Sequence, residues 1–384
     1  MPYNGEGTFI MSSELDIYDW RAFFARRLIE CDEARLQAAI VGKRILLTGA
    51  GGSIGSALAV KIATGDPQRL VLLENSEQNL YEIHTELDSL AHAAAHLPVL
   101  GDVADSALLD EIFVEHRPQV IFHAAAFKHV PLMEAHPLAA IQNNALGTYA
   151  LAKAAARHAA EQLVMLSTDK AVSPRSLMGV SKRVAELVLM ALANEQTGMN
   201  SVRLGNVLGA QGSVGPLFLQ QIRRGGPVTV THPEARRYFL TMGETVGLVL
   251  TAASLDSGVW VPDLGSSLRV LDLAEYLIRQ AGLTPGNDIP IAFIGLRPGE
   301  KLQEQLVSGQ ESKEDNAISG LHKVNSLAVG PGDFAMALAE VEETVRRRDV
   351  GALIHTLCRI VPDYQPSAVA LELCRDSEAE AKSA

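Results

Sequence analysis

Thr48-Gly49-Ala50-Gly51-Gly52-Ser53-Ile54-Gly55 follows directly on the apolar run Ile45-Leu46-Leu47 and opens into a helical pattern. Strand, glycine-rich turn and helix in that order are the setting in which a dinucleotide pyrophosphate is bound. The tight turn needs a glycine where φ is positive, a second glycine lets the pyrophosphate approach the backbone, and Gly55 lets helix and strand pack closely. The helix N-terminus adds free N–H groups and a positive dipole end for the phosphates. Gly49, Gly52, Ser53, Ile54 and Gly55 are the cofactor-binding candidates of this turn. Glu74 closes the next β-rich run, Arg69-Leu70-Val71-Leu72-Leu73-Glu74. A carboxylate there accepts hydrogen bonds from the adenosine ribose, which favours NAD over NADP because a 2′-phosphate would meet a negative charge. Asp102 and Val103, after the third run, fall at the adenine edge.

Outward from the turn, short β-rich runs alternate with helical stretches. RILLT, RLVLLE, HLPVLGDV, QVIFHAA, QLVMLS and SVRLGN are separated by helical patterns over 56–64, 77–94, 106–116, 138–160 and 178–197. Such alternation builds a parallel sheet with helices on both faces. The expected class is α/β, a doubly wound Rossmann sheet over 43–205. It is preceded by an amphipathic helical extension within 1–42, over 14–42, in which Trp20, Phe23, Phe24, Leu28 and Cys31 recur at near-helical spacing. Glycine- and proline-punctuated segments over 206–330 predict a smaller substrate lobe that shares chain crossings with the Rossmann domain. Helices follow over 331–375, and the polar stretch 376–384 is expected to be disordered.

Composition narrows the function. With 384 residues, 33 Lys and Arg against 45 Asp and Glu and a net charge of −12, no broad basic field invites nucleic acid. No run approaches the length of a membrane span, and MPYNGEGTFIMSSELD lacks a signal-peptide pattern, so no membrane insertion and a cytoplasmic location are expected. Cys31, Cys358 and Cys374 have no C-x-x-C spacing. His84, His92 and His96 read as one helix side without an acid or cysteine to complete a ligand set, so no metal is expected.

The glycine spacing, with His123-Ala124-Ala125-Ala126 and Ser167-Thr168-Asp169-Lys170 at strand ends, resembles the extended short-chain dehydrogenase/reductase superfamily. Ala124 and Ala125 are accordingly cofactor-binding candidates. The runs FKHVPLMEAHP, NNALGT, STDKAVSP, MGVSKR, RLGNVLGAQGSV, THPEARRYFLT and GLRPGEKLQEQL resemble more specifically the polysaccharide-biosynthesis dehydratases that act on UDP-N-acetylglucosamine. That resemblance covers about residues 22 to 365. Larger members carry N-terminal membrane helices, so the chain reads as the soluble catalytic part with a short preface. A UDP-sugar substrate, tightly bound NAD and a homo-oligomer are implied.

The implied reaction removes water across C5 and C6 of the sugar. Oxidation at C4 acidifies the C5 proton, water departs from C6, and the hydride taken from C4 returns to C6. By resemblance Asp169 is the acid for the C6 hydroxyl, Lys170 the C5 base and Thr168 the partner of the C4 oxygen. Lys170 as a base must be neutral, which calls for a pKa depressed by desolvation or by Lys182. Most of the superfamily uses Y-x-x-x-K, but here Met178 stands where the tyrosine would be and Lys182 keeps the lysine, which can bond the nicotinamide ribose. The acceptor of the C4 hydroxyl proton is left open among Asp169, a water held by Thr168, and Lys128. Arg237 and Arg297 suit bidentate binding of a diphosphate, and Asn206 and Lys128 face the same crevice. A UDP-sugar epimerase with transient C4 oxidation, and an NAD-binding regulator without catalysis, are the competing readings.

Overall fold

The computed structural model describes residues 15, 17–315, 317–326 and 331–383. Nine strands form the main sheet: β1 Arg44–Thr48, β2 Arg69–Glu74, β3 His96–Leu100, β4 Val120–His123, β5 Gln162–Thr168, β6 Gly198–Leu204, β7 Gly258–Pro262, β8 Ser312–Lys313 and β9 Leu321–Asn325. Their order across the sheet is β8-β9-β7-β6-β5-β4-β1-β2-β3. From β3 to β7 every pair is parallel, and β9 and β8 add an antiparallel edge. The Rossmann reading of the sequence is therefore the fold. The central strands are Val, Ile and Leu runs because helices cover both faces and leave no side for water. Ile45, Leu46, Leu47, Leu163, Val164 and Met165 are all fully buried.

Strand order reverses between β1 and β4, which opens a crevice beyond their carboxyl ends. Thr48 lies level with His123, and Thr168 with Leu204, so the glycine turn and the Thr168-Asp169-Lys170 segment leave the sheet at the same end. The chain beyond 205 divides between two places. Helix Met242–Ala252 and strands β7, β8 and β9 build onto the Rossmann core, whereas helices Val214–Arg223 and Val270–Gln280 and the pair Val228–Val230 with Ile291–Phe293 form the lobe. Helices Pro331–Arg347 and Val350–Ile360 pack Phe334, Leu338, Val341, Leu353 and Leu357 into the same apolar cluster as Leu151 and Val184.

Three departures from the sequence reading have local causes. The extension is not one helix: Trp20–Phe24 ends at Ala25 in the left-handed region, and Asp32 caps a second helix, Glu33–Ile40, by accepting from the Ala34 N–H. The helix expected over 138–160 is broken into Pro137–Ile141, a π turn Gln142–Leu146 and Gly147–Arg157. The π turn presents Asn144 to Phe127 and Ser181, a use of extra-residue turns common at functional sites. The polar segment expected to be disordered continues as helix backbone within Ala368–Ser383. No helix among the described residues is long and apolar enough to cross a membrane.

Candidate active site

The glycine turn is shaped by close approach. Gly49 has φ of +67°, and a Cβ there would lie 2.5 Å from the Ala125 nitrogen. A Cβ on Gly55 would lie 1.9 Å from the Gly49 carbonyl oxygen. Gly52 caps helix Ser53–Ala63 without any side-chain hydrogen bond, so the first N–H groups of that helix have no side-chain acceptor at the cap position. Around the turn lies a cavity lined by Thr48, Gly49, Gly52, Glu74, Ala124 and Ala125. Val103, Asn79 and Asn143 also border it; Asp102 does not, its carboxylate accepting instead from the Ala104 N–H. These features fit a dinucleotide: an open helix N-terminus, a backbone that only glycine permits, and a carboxylate at the end of β2.

Glu74 has a second engagement that spacing does not reveal. Its Oε2 accepts from the Gly51 N–H at 3.0 Å, and its Oε1 accepts from the Asn75 and Ser76 N–H groups at 3.1 and 3.0 Å. The carboxylate is buried and braces the turn as well as facing the cavity. On the other side, Ser53 Oγ accepts from the Gln211 N–H at 2.8 Å, and Lys128 Nζ donates to the Gln211 carbonyl at 2.7 Å. Ser53 thus ties the lobe's first loop to the turn, and Lys128 ties the same loop to the segment after β4.

At the end of β5, Thr168, Asp169 and Lys170 form one hydrogen-bonded group. Thr168 Oγ1 donates to Asp169 Oδ1 at 3.0 Å, and Lys170 Nζ donates to the same oxygen at 2.9 Å. Lys170 Nζ also reaches Asn206 Oδ1 at 3.4 Å. Asp169 is fully buried, and its Oδ2 has no hydrogen-bond partner among the described residues. Burial holds its carboxyl above the ordinary range against the pull of Lys170, and Glu304 adds to the rise. For Lys170, burial alone would lower the ammonium, but the Asp169 and Glu304 carboxylates more than offset it and hold it above its ordinary value. The depressed lysine expected from the sequence is therefore not what the surroundings produce, because two acids and not Lys182 face it. Two other lysines are depressed: burial pushes Lys182 down to about 8, with Glu186 opposing, and burial also lowers Lys128. Burial, helped by Lys182, pushes His123 to about 3, so His123 is a neutral ring bridging Thr48 Oγ1 and Thr148 Oγ1.

Glu304, from the run GLRPGEKLQEQL, escapes sequence reasoning. Its Oε1 lies 3.9 Å from Lys170 Nζ, its Oε2 lies 3.2 Å from Lys301 Nζ, and its side chain is 2% exposed. Arg237 is buried beside this group and donates to the Arg236 and Leu302 carbonyls. Arg297 is exposed on the lobe and does not join the Asp169 group. Met178 is buried in a small apolar cluster with Val130, Met133 and Ala140. A phenol close enough to feel the charge of Asp169 is that of Tyr238, half-buried and raised by burial and by that charge. Glu134 supports the start of helix Leu177–Leu192, accepting from the Leu177 N–H at 2.6 Å and from Ser367 Oγ. Beneath β5, Ser167 donates to Glu186, which pairs with the fully buried Arg203, itself paired to Glu311. Glu186, Glu311 and Glu134 became visible only once tertiary contacts brought distant runs together.

The family model for polysaccharide biosynthesis proteins matches residues 45–326. The chain belongs to this family. It is 44% identical over 312 residues to the capsular polysaccharide biosynthesis protein CapD of Staphylococcus aureus, covering 79% of this chain and 52% of CapD. The chain thus spans about half the length of that polysaccharide biosynthesis protein. It is also 32% identical over 295 residues to the UDP-glucose 4-epimerase of Rickettsia canadensis, covering 74% of this chain and 83% of the epimerase. Among solved structures, the dTDP-glucose 4,6-dehydratase DesIV of Streptomyces venezuelae, with NAD and TYD bound, superposes with a TM-score of 0.57 at 21% identity, over 69% of this chain and 88% of DesIV. That likeness shows the shared Rossmann fold.

Proposed function

We propose that this chain carries out NAD-dependent 4,6-dehydration of a UDP-N-acetylhexosamine, in the first instance UDP-N-acetylglucosamine, to the 4-keto-6-deoxy sugar. The observation that carries the reading is the 2.9 Å hydrogen bond between Lys170 Nζ and buried Asp169 Oδ1. Dehydration needs a base at C5 and an acid at C6 at the same moment. An ammonium paired with a carboxylate and a neutral amine paired with a carboxylic acid hold the same number of protons. One proton moving across this bond turns the resting ammonium and carboxylate into base and acid together, and the burial that raises Asp169 favours the move on the acid's side. Lys170 Nζ then takes the C5 proton while Asp169 protonates the departing C6 hydroxyl, which leaves as water. Thr168 Oγ1 would bond the C4 oxygen, the C4 hydroxyl proton would leave through a water held by Thr168 and restore the Asp169 acid, and Lys170 would return its proton to C5 as hydride adds at C6.

Bound NAD would take the C4 hydride and give it back at C6, and Gly49, Gly52, Ser53, Ile54, Glu74 and Lys182 are the residues that would hold it. Arg237, with Asn206, would hold the diphosphate side of the substrate. Similarity to the Rickettsia canadensis epimerase favours a second reading, transient C4 oxidation without water loss. An epimerase has no use for a buried acid beside its base. Incubation with UDP-N-acetylglucosamine deuterated at C4 separates the two. Dehydration gives a product lighter by one water that carries the label at C6, whereas epimerisation returns the label to C4 at unchanged mass. Absence of water loss with every UDP-sugar offered would end the dehydratase reading.

A further inference from the structure

Helix Glu77–Ser89, which follows β2, and the first residue of β3 bring His84, Asp88 and His96 together. His84 and Asp88 are four residues apart on one helix face, and His96 begins the sheet's edge strand, beyond the end of the helix the sequence suggested it shared. Among the described residues only these three His, Cys, Asp or Glu side chains offer ligand atoms that all lie within 4.8 Å of one another. Asp88 is the acid that the sequence reading did not find.

With both imidazoles neutral, the protons cannot be shared out so as to satisfy every contact of this group. His96 Nδ1 faces the Ala94 carbonyl at 3.3 Å, and a carbonyl only accepts, so that nitrogen carries the hydrogen and Nε2 presents a lone pair. His84 Nδ1 lies 3.0 Å from that lone pair and must donate to it, which leaves His84 Nε2 bare. Yet His84 Nε2 is 3.6 Å from Asp88 Oδ2, and His96 Nε2 is 3.3 Å from Asp88 Oδ1. Lone pairs of two imidazoles and a carboxylate therefore converge on one small space.

We propose that His84, Asp88 and His96 form a binding site for a borderline divalent transition-metal ion of the Zn²⁺ type, with water completing the coordination. Ligand bonds of about 2.0–2.1 Å put neighbouring donors of a tetrahedron roughly 3.3 Å apart, the spacing found between His96 Nε2 and Asp88 Oδ1. The His96 Nδ1–H to carbonyl bond is the outer contact that orients a metal-bound imidazole. The His96 side chain is 7% exposed and Asp88 60%, so the site has a fixed floor and an open entrance. Two nitrogens and one oxygen suit Zn²⁺ or Co²⁺ and disfavour Mg²⁺ and Ca²⁺, which take oxygen ligands. The bound ion clips the last turns of the helix to the sheet edge.

The test uses the full chain stripped with EDTA, titrated with Zn²⁺ by calorimetry and with Co²⁺ by visible absorbance. One equivalent should bind, Co²⁺ should show the intense bands of a four-coordinate site, and Zn²⁺ should raise the melting temperature. His96→Ala should abolish this equivalent, and Asp88→Asn should weaken it by about tenfold or more. His84→Gln lies on the half-exposed helix face, leaves the sheet untouched and should also abolish binding, so a misfolded His96→Ala protein does not decide the matter. No saturable binding, or one equivalent bound equally well by His84→Gln and Asp88→Asn, overturns the proposal. Metal stoichiometry does not depend on turnover, so the result stands whatever reaction the chain catalyses.

Discussion

Replacing Glu304 by Gln removes one negative charge 3.9 Å from Lys170 Nζ while keeping the side chain's shape. Two unit charges at that distance interact by about 4 kcal/mol at an effective dielectric of about 20. That interaction supports the Lys170 proton, so its loss lowers Lys170. Glu304 also raises Asp169, so its loss lowers the proton affinity of both members of the pair. Lys301 loses its 3.2 Å partner in the variant and adds positive potential in the same direction. If the singly protonated Lys170–Asp169 pair is the active form, the rate of water loss follows a bell in pH whose limbs belong to the pair rather than to either residue. Both limbs should then move to lower pH in Glu304→Gln. The assay is product formation from UDP-N-acetylglucosamine by mass across the pH range, with NAD content and thermal unfolding as controls for the fold. A folded, NAD-loaded variant whose profile stays in place, or moves to higher pH, refutes the coupling of Glu304 to the pair.

Met178→Leu should keep product formation and lose less than about 1.5 kcal/mol of stability, because the side chain fills an apolar cluster and a swap of similar volume is tolerated; loss of C4 oxidation in a folded variant would give the thioether a chemical role. Glu74→Gln replaces one of two acceptor oxygens that serve three backbone N–H groups, so it should cost about 1–3 kcal/mol and weaken NAD binding, measured by thermal unfolding with and without cofactor. Glu311, which burial would raise, is instead pulled down to about 2 by its bonds and charge interaction with Arg203 and by further partners. A carboxylate lowered by folding contributes stability that is complete above about pH 4.5 and is lost as the pH falls toward 2. Glu311→Gln should therefore flatten the acid side of the stability curve, read by urea unfolding at a series of pH values.

The Rossmann half was legible because its signals are local. A fully buried parallel strand is a continuous apolar run, and the turn after β1 must be glycine where Gly49 lies 2.5 Å from a neighbouring backbone. Thr168, Asp169 and Lys170 could be named because they are consecutive. Glu304 could not, since its placement beside Lys170 depends on the lobe folding over a strand end more than a hundred residues earlier in the chain. The same limit hid the direction of the Lys170 shift, which is decided by an acid from outside its own motif. The N-terminal segment misled in another way: its apolar spacing is helical, but its residues serve two different cores, and the change comes after the break at Ala25, between Leu28 on the lobe core and Ile29 on the Rossmann core.

That change of allegiance bears on how proteins of this family are dissected. Trp20 and Phe24 sit in the lobe's core with Phe218 and Leu277, while Leu36, Ala39 and Ile40 sit in the Rossmann core with Leu58 and Ile62. Between them Arg26 pairs with buried Glu244 at 2.6 Å. The segment is a strap sewn into both halves, and the first strand, at Arg44, is a deceptive place to cut. A shortened protein beginning there would keep every residue of the nucleotide fold and still expose two apolar seams, leave Glu244 without its cation, and loosen the lobe from the sheet it must meet. Such a fragment should be judged by its seams before a lack of activity is blamed on its chemistry.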